Sequence, residues 1–148
     1  MKSWTKFAQN LGISLRRVSD RAFLVVSVAE RPGVFVQFAG GPGQLHAEAR
    51  DTGDPAVLVA AGWHPPDAGF DNWYIELPLP ALTAEYLDLA ERCVAALCDG
   101  FGVPAPDDLA YRAWREPEPV PPGKQRAGRD KGENPLWMPM LGVRTERR

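Results

Sequence analysis

The sequence has little of the chemistry that catalytic sites require. Its 148 residues include only two histidines and two cysteines, and no spacing of Cys, His and Asp suggests a metal site. A Gly-x-Ser-x-Gly nucleophile motif is absent. The glycine-rich stretch 40–43 lacks the Lys-Ser/Thr of a phosphate loop, so we interpret it as a hairpin turn. We therefore expect no catalytic residue, no metal ligand and no cofactor, and we predict that the protein is not an enzyme.

Long apolar runs are also missing. No segment is long and apolar enough to span a bilayer, and Lys6 interrupts what would be the apolar part of a signal peptide. Cys93 and Cys98 are five residues apart in a predicted helix, so they face different directions and cannot form a disulfide. We expect a cytoplasmic protein with free thiols and no membrane partner.

Charge is distributed unevenly along the chain. The formal net charge is −2, yet from Pro121 onward seven Lys and Arg face three acidic residues, which leaves −6 for residues 1–120. An acidic body does not attract nucleic acid. Nucleic acid is therefore not expected as a partner, except through the basic tail.

Alternating β-branched and aromatic residues predict four strands. Short turns separate the first three, which is typical of an antiparallel meander. The predicted strands are residues 22–28, 34–38, 44–50 and 72–77.

Apolar residues at helical spacing predict helices on both sides of these strands. Trp4, Leu11 and Leu15 form one stripe of an N-terminal helix. Thr83 can cap a helix that runs to about Asp99, and residues 106–114 are predicted to form a last short helix. Residues 55–61 fit a short helix or a strand. The predicted fold class is α+β, with an N-terminal helix, a four-stranded antiparallel meander sheet and C-terminal helices packed on one face.

One group of apolar residues lies on the predicted face of the sheet away from the helices. Phe23, Val25 and Phe35 alternate with the residues assigned to the core. A solvated face of an antiparallel sheet should be polar. This group is therefore a candidate exposed patch, unless another part of the chain covers it.

The composition changes after residue 115. Residues 1–115 are predicted to form a single α+β domain, and the Pro-rich and charged segment 116–133 a disordered linker. Residues 134–148 have the composition of an apolar docking motif with a basic end. Its apolar residues are Leu136, Trp137, Met138, Met140 and Leu141.

The stretch GWHPPDAGFDNW, residues 62–73, holds two of the five tryptophans. Gly62 permits a sharp turn, the Pro-Pro pair stiffens the chain after it, and Trp73 opens the fourth predicted strand. We interpret the stretch as a structural corner. The alternative is that Trp63 lines a peptide-binding groove.

Several short motifs give the chain a resemblance to a known family. They are VQFA (36–39), EA (48–49), GW (62–63), PP (65–66), NW (72–73) and FGV (101–103), followed by Pro106 and Leu109. Over about residues 4–114 the chain resembles the TY-Chap domain family, of the actinobacterial type, within the superfamily of YbjN and type III secretion chaperones. The connection between Arg50 and Trp63 is shorter than the family usually has, which puts in doubt a groove wall built there.

The resemblance implies a YbjN or secretion-chaperone-like fold and a non-enzymatic chaperone-like or adaptor protein that binds a peptide or protein client. The apolar sheet patch would carry that binding, and a homodimer is among the expected partners. The alternative is a subunit of a larger assembly that docks through residues 136–141 and its basic tail.

Overall fold

The computed structural model describes residues 2–50, 54–67 and 69–146. Arg147 and Arg148, part of the predicted basic end, lie outside the described residues. The helices are α1 (Trp4–Leu15), α2 (Pro55–Ala60) and α3 (Thr83–Val94). The strands are β1 (Ala22–Val28), β2 (Phe35–Gly40), β3 (Gln44–Ala49), β4 (Trp73–Pro78), β5 (Leu109–Arg115) and β6 (Arg144–Thr145).

One sheet organises the fold. Its strand order is β4-β3-β2-β1-β5-β6, and all neighbours are antiparallel except β5 and β6, which are parallel. The predicted α+β class and the antiparallel run of the first four strands are confirmed. The sheet nevertheless has six described strands rather than four, and it is mixed.

The prediction of a last short helix over residues 106–114 was wrong. Only Pro106–Asp108 form a helical turn, and the chain then continues as β5 beside β1. Acidic residues after a proline suggested a helix start, but the next seven residues pair with β1 along their whole length. Leu109, Tyr111 and Ala113 are buried on the core face. On the other face Arg112 is exposed, whereas Ala110 is buried. Neighbouring residues that face opposite sides fit a strand.

The two long helices begin where side chains satisfy their first amides. The Ser3 hydroxyl accepts a hydrogen bond from the Lys6 N–H at the start of α1. The Glu85 carboxylate accepts one from the Leu82 N–H, 2.8 Å away, so Leu82 and not Thr83 occupies the cap position of α3. A π-helical segment, Ala95–Gly100, continues α3.

The hydrophobic core fills the space between the helices and one face of the sheet. Leu11 and Leu15 of α1 and Leu97 beyond α3 are fully buried there with Leu24, Val36 and Phe38 of the sheet. Removal of this apolar surface from water is the largest single contribution to the stability of the fold.

Within the described part of the chain, no helix is long and apolar enough to cross a membrane. Both cysteines are free, as predicted, with Cys93 buried and Cys98 partly exposed.

Candidate functional site

The face of the sheet opposite the helices, called the open face below, carries a row of aromatic side chains at its β5 end. The Phe23 ring stacks on that of Trp114, with ring centroids 5.2 Å apart and planes 16° apart. The guanidinium carbon of Arg112 lies 5.0 Å from the centre of the Trp114 ring, a cation–π contact. Phe23 and Trp114 are both partly exposed.

A groove of about 820 Å³ opens beside this row. Val25 and Phe35 line it, next to the buried Ala110. Arg31 and Arg144 stand among its lining residues. The structure therefore brings together all three residues of the predicted patch, and it adds Trp114, which the sequence prediction had missed. We call Phe23, Val25, Phe35 and Trp114 the apolar patch.

The other half of the open face is polar and centres on Glu48. Its carboxylate lies 2.9 Å from the His46 Nε2 and accepts hydrogen bonds from Asn72 at 2.9 Å and Gln37 at 3.3 Å. Partial burial raises the pKa of Glu48, but the hydrogen bonds from Asn72, His46 and Gln37 outweigh it and lower the pKa overall. Because these groups satisfy one another, this half serves to fix β3 to the corner that precedes β4.

Aromatic rings cover the outer edge of this polar half. Phe70 stacks on Tyr74 with centroids 4.2 Å apart and on His46 at 5.3 Å. His64 exchanges two backbone hydrogen bonds with Tyr74, of 2.9 and 3.1 Å. These contacts place residues 62–67 and 69–72 against β4 as a structural corner.

Trp63 belongs to this corner and is buried. Its side chain is 2% exposed, and its Nε1 donates a hydrogen bond to the Arg92 carbonyl at 3.0 Å. Gly62 has φ +86, a backbone conformation that residues with a side chain rarely adopt, so this turn requires glycine. A side chain that is packed and satisfied in this way offers no surface to a partner, which speaks against Trp63 as a lining residue of a groove.

The predicted docking motif at the C-terminus lies against the chain's own core. Leu136, Met138 and Leu141 are 3%, 0% and 0% exposed, respectively. Trp137 and Met140 are 56% and 57% exposed. Three of the five apolar residues that were predicted to contact a partner therefore pack inside this molecule.

Residues 116–133 form no helix or strand, and their second half is attached to the sheet. The Asp130 carboxylate accepts two hydrogen bonds from Arg115, at 2.7 and 3.0 Å, and one from Arg21, at 2.9 Å. Glu133 and Arg115 exchange two backbone hydrogen bonds. The disorder predicted for this segment concerns its motion in solution and stays a prediction.

Among the described residues, no group of three or more His, Cys, Asp and Glu side chains is arranged to hold a metal ion. The open face thus offers an apolar, partly exposed surface beside a groove that is lined by charges of both signs: Arg31, Arg112 and Arg144 with Glu30 and Glu146. Such a surface is suited to binding apolar side chains.

Comparison with curated proteins and with solved structures finds no match. A family match does exist, and it covers residues 1–115, which end with β5. The family is described as T3SS (YopN, CesT) and YbjN peptide-binding chaperone 3. The predicted membership in the TY-Chap group is thereby confirmed: the chain belongs to the TY-Chap3 family of peptide-binding chaperones.

Proposed function

We propose that this protein binds apolar segments of client polypeptides on the open face of its sheet. The observation that carries the proposal is the apolar patch, which lies on the side of the sheet that the helices leave uncovered and borders a groove. The solvated face of an antiparallel sheet is commonly polar, so an apolar group on it marks a candidate binding surface. The family match supports a peptide-binding, chaperone-like role without enzymatic chemistry.

The two sheet edges argue for binding through side chains rather than by strand addition. At one edge, β6 pairs with β5, and the Leu136 N–H donates to the Ala113 carbonyl. At the other edge, the backbone of His64 pairs with that of Tyr74 in β4. The strand ends at Pro78, which has no amide hydrogen to donate to a further strand. A client strand therefore has little free edge to extend, whereas the face remains accessible.

The charged residues that line the groove are three arginines, Arg31, Arg112 and Arg144, and two acids, Glu30 and Glu146. Glu146 lies 3.8 Å from Arg112, whereas Arg31, Arg144 and Glu30 have no ion pair among the described residues. Three cations against two anions leave a net charge of +1, which gives a small preference for clients with an acidic residue beside their apolar ones.

The alternative function is docking into a larger assembly through residues 136–141. It is less well supported, because most of the apolar residues that would contact the partner are not exposed. Leu136, Met138 and Leu141 are already buried within the molecule. Only Trp137 and Met140 stay exposed for a partner. The open face is therefore the better supported binding surface.

Selection of peptides from a random display library against the full chain tests the proposal. We expect enriched peptides with several large apolar residues. Replacement Phe35→Glu should weaken their binding by about 2 kcal/mol, roughly 30-fold, because it places a charge in the apolar patch. Val59→Glu is the matched control, since Val59 is 58% exposed on α2, away from the sheet.

Three controls make this result decisive. Thermal unfolding shows whether Phe35→Glu still folds, and Val25→Lys provides a second change in the same groove. Light scattering reports whether a second copy of the chain, rather than a client, occupies the face. Equal peptide affinity in Phe35→Glu, Val25→Lys and the control, or self-association that accounts for all binding, would reject the proposed function.

A further inference from the structure

The C-terminal segment 134–146, called the tail below, lies on residues 1–115 in the way that a bound peptide lies on its receptor. Besides the pairing of β6 with β5, hydrogen bonds from the main chain of the tail connect the two parts. The amides of Leu136, Met138 and Glu146 donate to β5, and the carbonyls of Trp137 and Gly142 accept from the N-terminal region.

The partners of these bonds lie on two elements and the segments beside them. The Ala113 and Tyr111 carbonyls and the Tyr111 hydroxyl belong to β5. Arg17 follows α1, and its guanidinium lies 2.6 Å from the Trp137 carbonyl. Lys2 precedes α1, and its ammonium lies 2.8 Å from the Gly142 carbonyl. The tail thus occupies a groove between α1 and the β5 edge.

The side chains of the tail enter this groove at a fixed spacing. Leu136, Met138 and Leu141, at positions i, i+2 and i+5, are buried in the core, whereas Trp137 and Met140 are more than half exposed. Main-chain hydrogen bonds combined with a few apolar side chains in pockets are how proteins recognise extended peptides. The tail therefore presents the features of a peptide ligand within its own chain.

The tail does not fill its groove completely, and the segment that connects it to β5 is long. A cavity of about 400 Å³ lies between β5 and the tail, lined by Tyr111, Leu136 and Trp137. Residues 121–128, in the middle of the connection to β5, are exposed throughout. A tethered ligand of this kind is held by a high local concentration, of the order of millimolar for a flexible linker.

We propose that the groove between α1 and the β5 edge is a second peptide-binding site, and that the tail is its resident ligand in cis. The site accepts an extended peptide with large unbranched or γ-branched apolar residues at i, i+2 and i+5. A client segment with this spacing displaces the tail. The three apolar anchors of the tail lie outside the apolar patch of the open face, whereas Arg144 at the end of the tail also lines the groove beside that patch.

The experiment uses the full chain with a specific protease site placed within residues 121–128. After cleavage of the connection, a fluorescent peptide of residues 134–146 is added, and its anisotropy reports binding. We expect saturable binding to the cleaved chain and none to the uncut chain at peptide concentrations well below the millimolar order of the tethered tail. A peptide with Met138→Asp and Leu141→Asp should bind about 100-fold more weakly or worse.

A peptide that keeps only the three buried apolar residues, with the other side chains replaced by Ala and Ser, tests the spacing. It should bind, whereas a peptide with the same three residues placed consecutively should not. Phe23→Glu, at a patch residue that does not line the groove shared with Arg144 of the tail, should leave the binding of the tail peptide unchanged, so that this site and the open face are tested separately.

Two results would overturn the proposal. One is that the cleaved chain takes up no added peptide. The other is that the cleaved chain loses its cooperative unfolding transition once the tail has been removed by dilution, since the tail would then be an obligatory part of the core.

Discussion

Asp130 and Arg115 form a two-pronged ion pair, in which the Arg115 Nε and Nη2 lie 2.7 and 3.0 Å from the two carboxylate oxygens. The pair connects the segment after β5 to the end of β5 itself. Arg21, which lies just before β1, donates a third hydrogen bond to the same carboxylate. These hydrogen bonds fix the point at which the chain comes back to the sheet before the tail begins.

Asp130→Asn should loosen the tail without unfolding the domain. The hydrogen bonds from Arg115, together with the Gly132 amide and Arg21, hold the pKa of Asp130 far below its ordinary value of 3.8. A carboxyl with a depressed folded-state pKa stabilises the fold above its unfolded pKa, and this contribution is lost as the pH falls toward the folded value. Hydrogen exchange of the Leu136 and Glu146 amides should therefore accelerate in the variant at pH 7.

The difference between the variant and the parent should shrink as the pH falls below the ordinary Asp130 pKa of 3.8, because the carboxyl then takes up a proton in the opened state while the closed state, with its lowered pKa, still keeps the charge. Asp71→Asn, at an exposed carboxyl, is the control and should leave these amides unchanged. Unaltered exchange in Asp130→Asn would show that the ion pair does not hold the tail.

Met138→Ala and Met140→Ala should differ strongly, although both truncate a methionine of the tail. Met138 is 0% exposed and Met140 is 57% exposed. Truncation of the buried side chain should lower the free energy of unfolding by about 2–5 kcal/mol, and that of the exposed one by about 0.5 kcal/mol or less. Urea denaturation of both variants measures this, and equal losses would contradict the burial of Met138.

Trp63→Phe should destabilise the fold but leave peptide binding intact. The change removes the hydrogen bond to the Arg92 carbonyl and some buried ring volume, which should cost about 1–3 kcal/mol. Peptides selected on the open face should bind the variant with the parent's affinity at a temperature where both are folded. A loss of affinity with unchanged stability would instead favour a binding role for Trp63.

Glu48→Gln should weaken the corner at residues 62–72. An amide oxygen is a poorer acceptor than the carboxylate that now faces His46, Asn72 and Gln37, so we expect a loss of about 1 kcal/mol. Since the pKa of Glu48 is lowered from 4.5, its contribution should be present above about pH 4.5 and fade as the pH falls. Unfolding curves at pH 7 and pH 3 test both statements, and a difference that persists undiminished at pH 3 would contradict them.

The strands that a hairpin joins to their neighbours could be predicted from sequence because their signals are local. The predicted bounds of β1 agree with the structure, and the alternation that placed Phe23, Val25 and Phe35 on the face away from the helices separated core from open face correctly. For β5, the helix-start pattern at residues 106–108 led to the prediction of a helix, although the residues after it form a strand. The long-range pairing of β5 with β1 decided the outcome.

The position of the tail could not be predicted in the same way. Leu136, Met138 and Leu141 follow neither the period of a helix nor that of a strand, so their burial leaves no local signal. Their place depends on contacts such as that of the Met138 amide with the Tyr111 hydroxyl, 27 residues away along the chain. Trp114 was missed as part of the apolar patch for a related reason, since its strand had been assigned to a helix.

The most direct measurement is the map of amide chemical-shift changes when a selected peptide is titrated into the isotope-labelled 16.3 kDa chain. If the open face binds clients, the largest changes fall on Phe23, Val25, Phe35 and Trp114 and their neighbours across β1, β2 and β5. If these residues stay unperturbed while the peptide binds elsewhere, at the groove that holds the tail or between α1 and α3, the open face is not the client-binding surface.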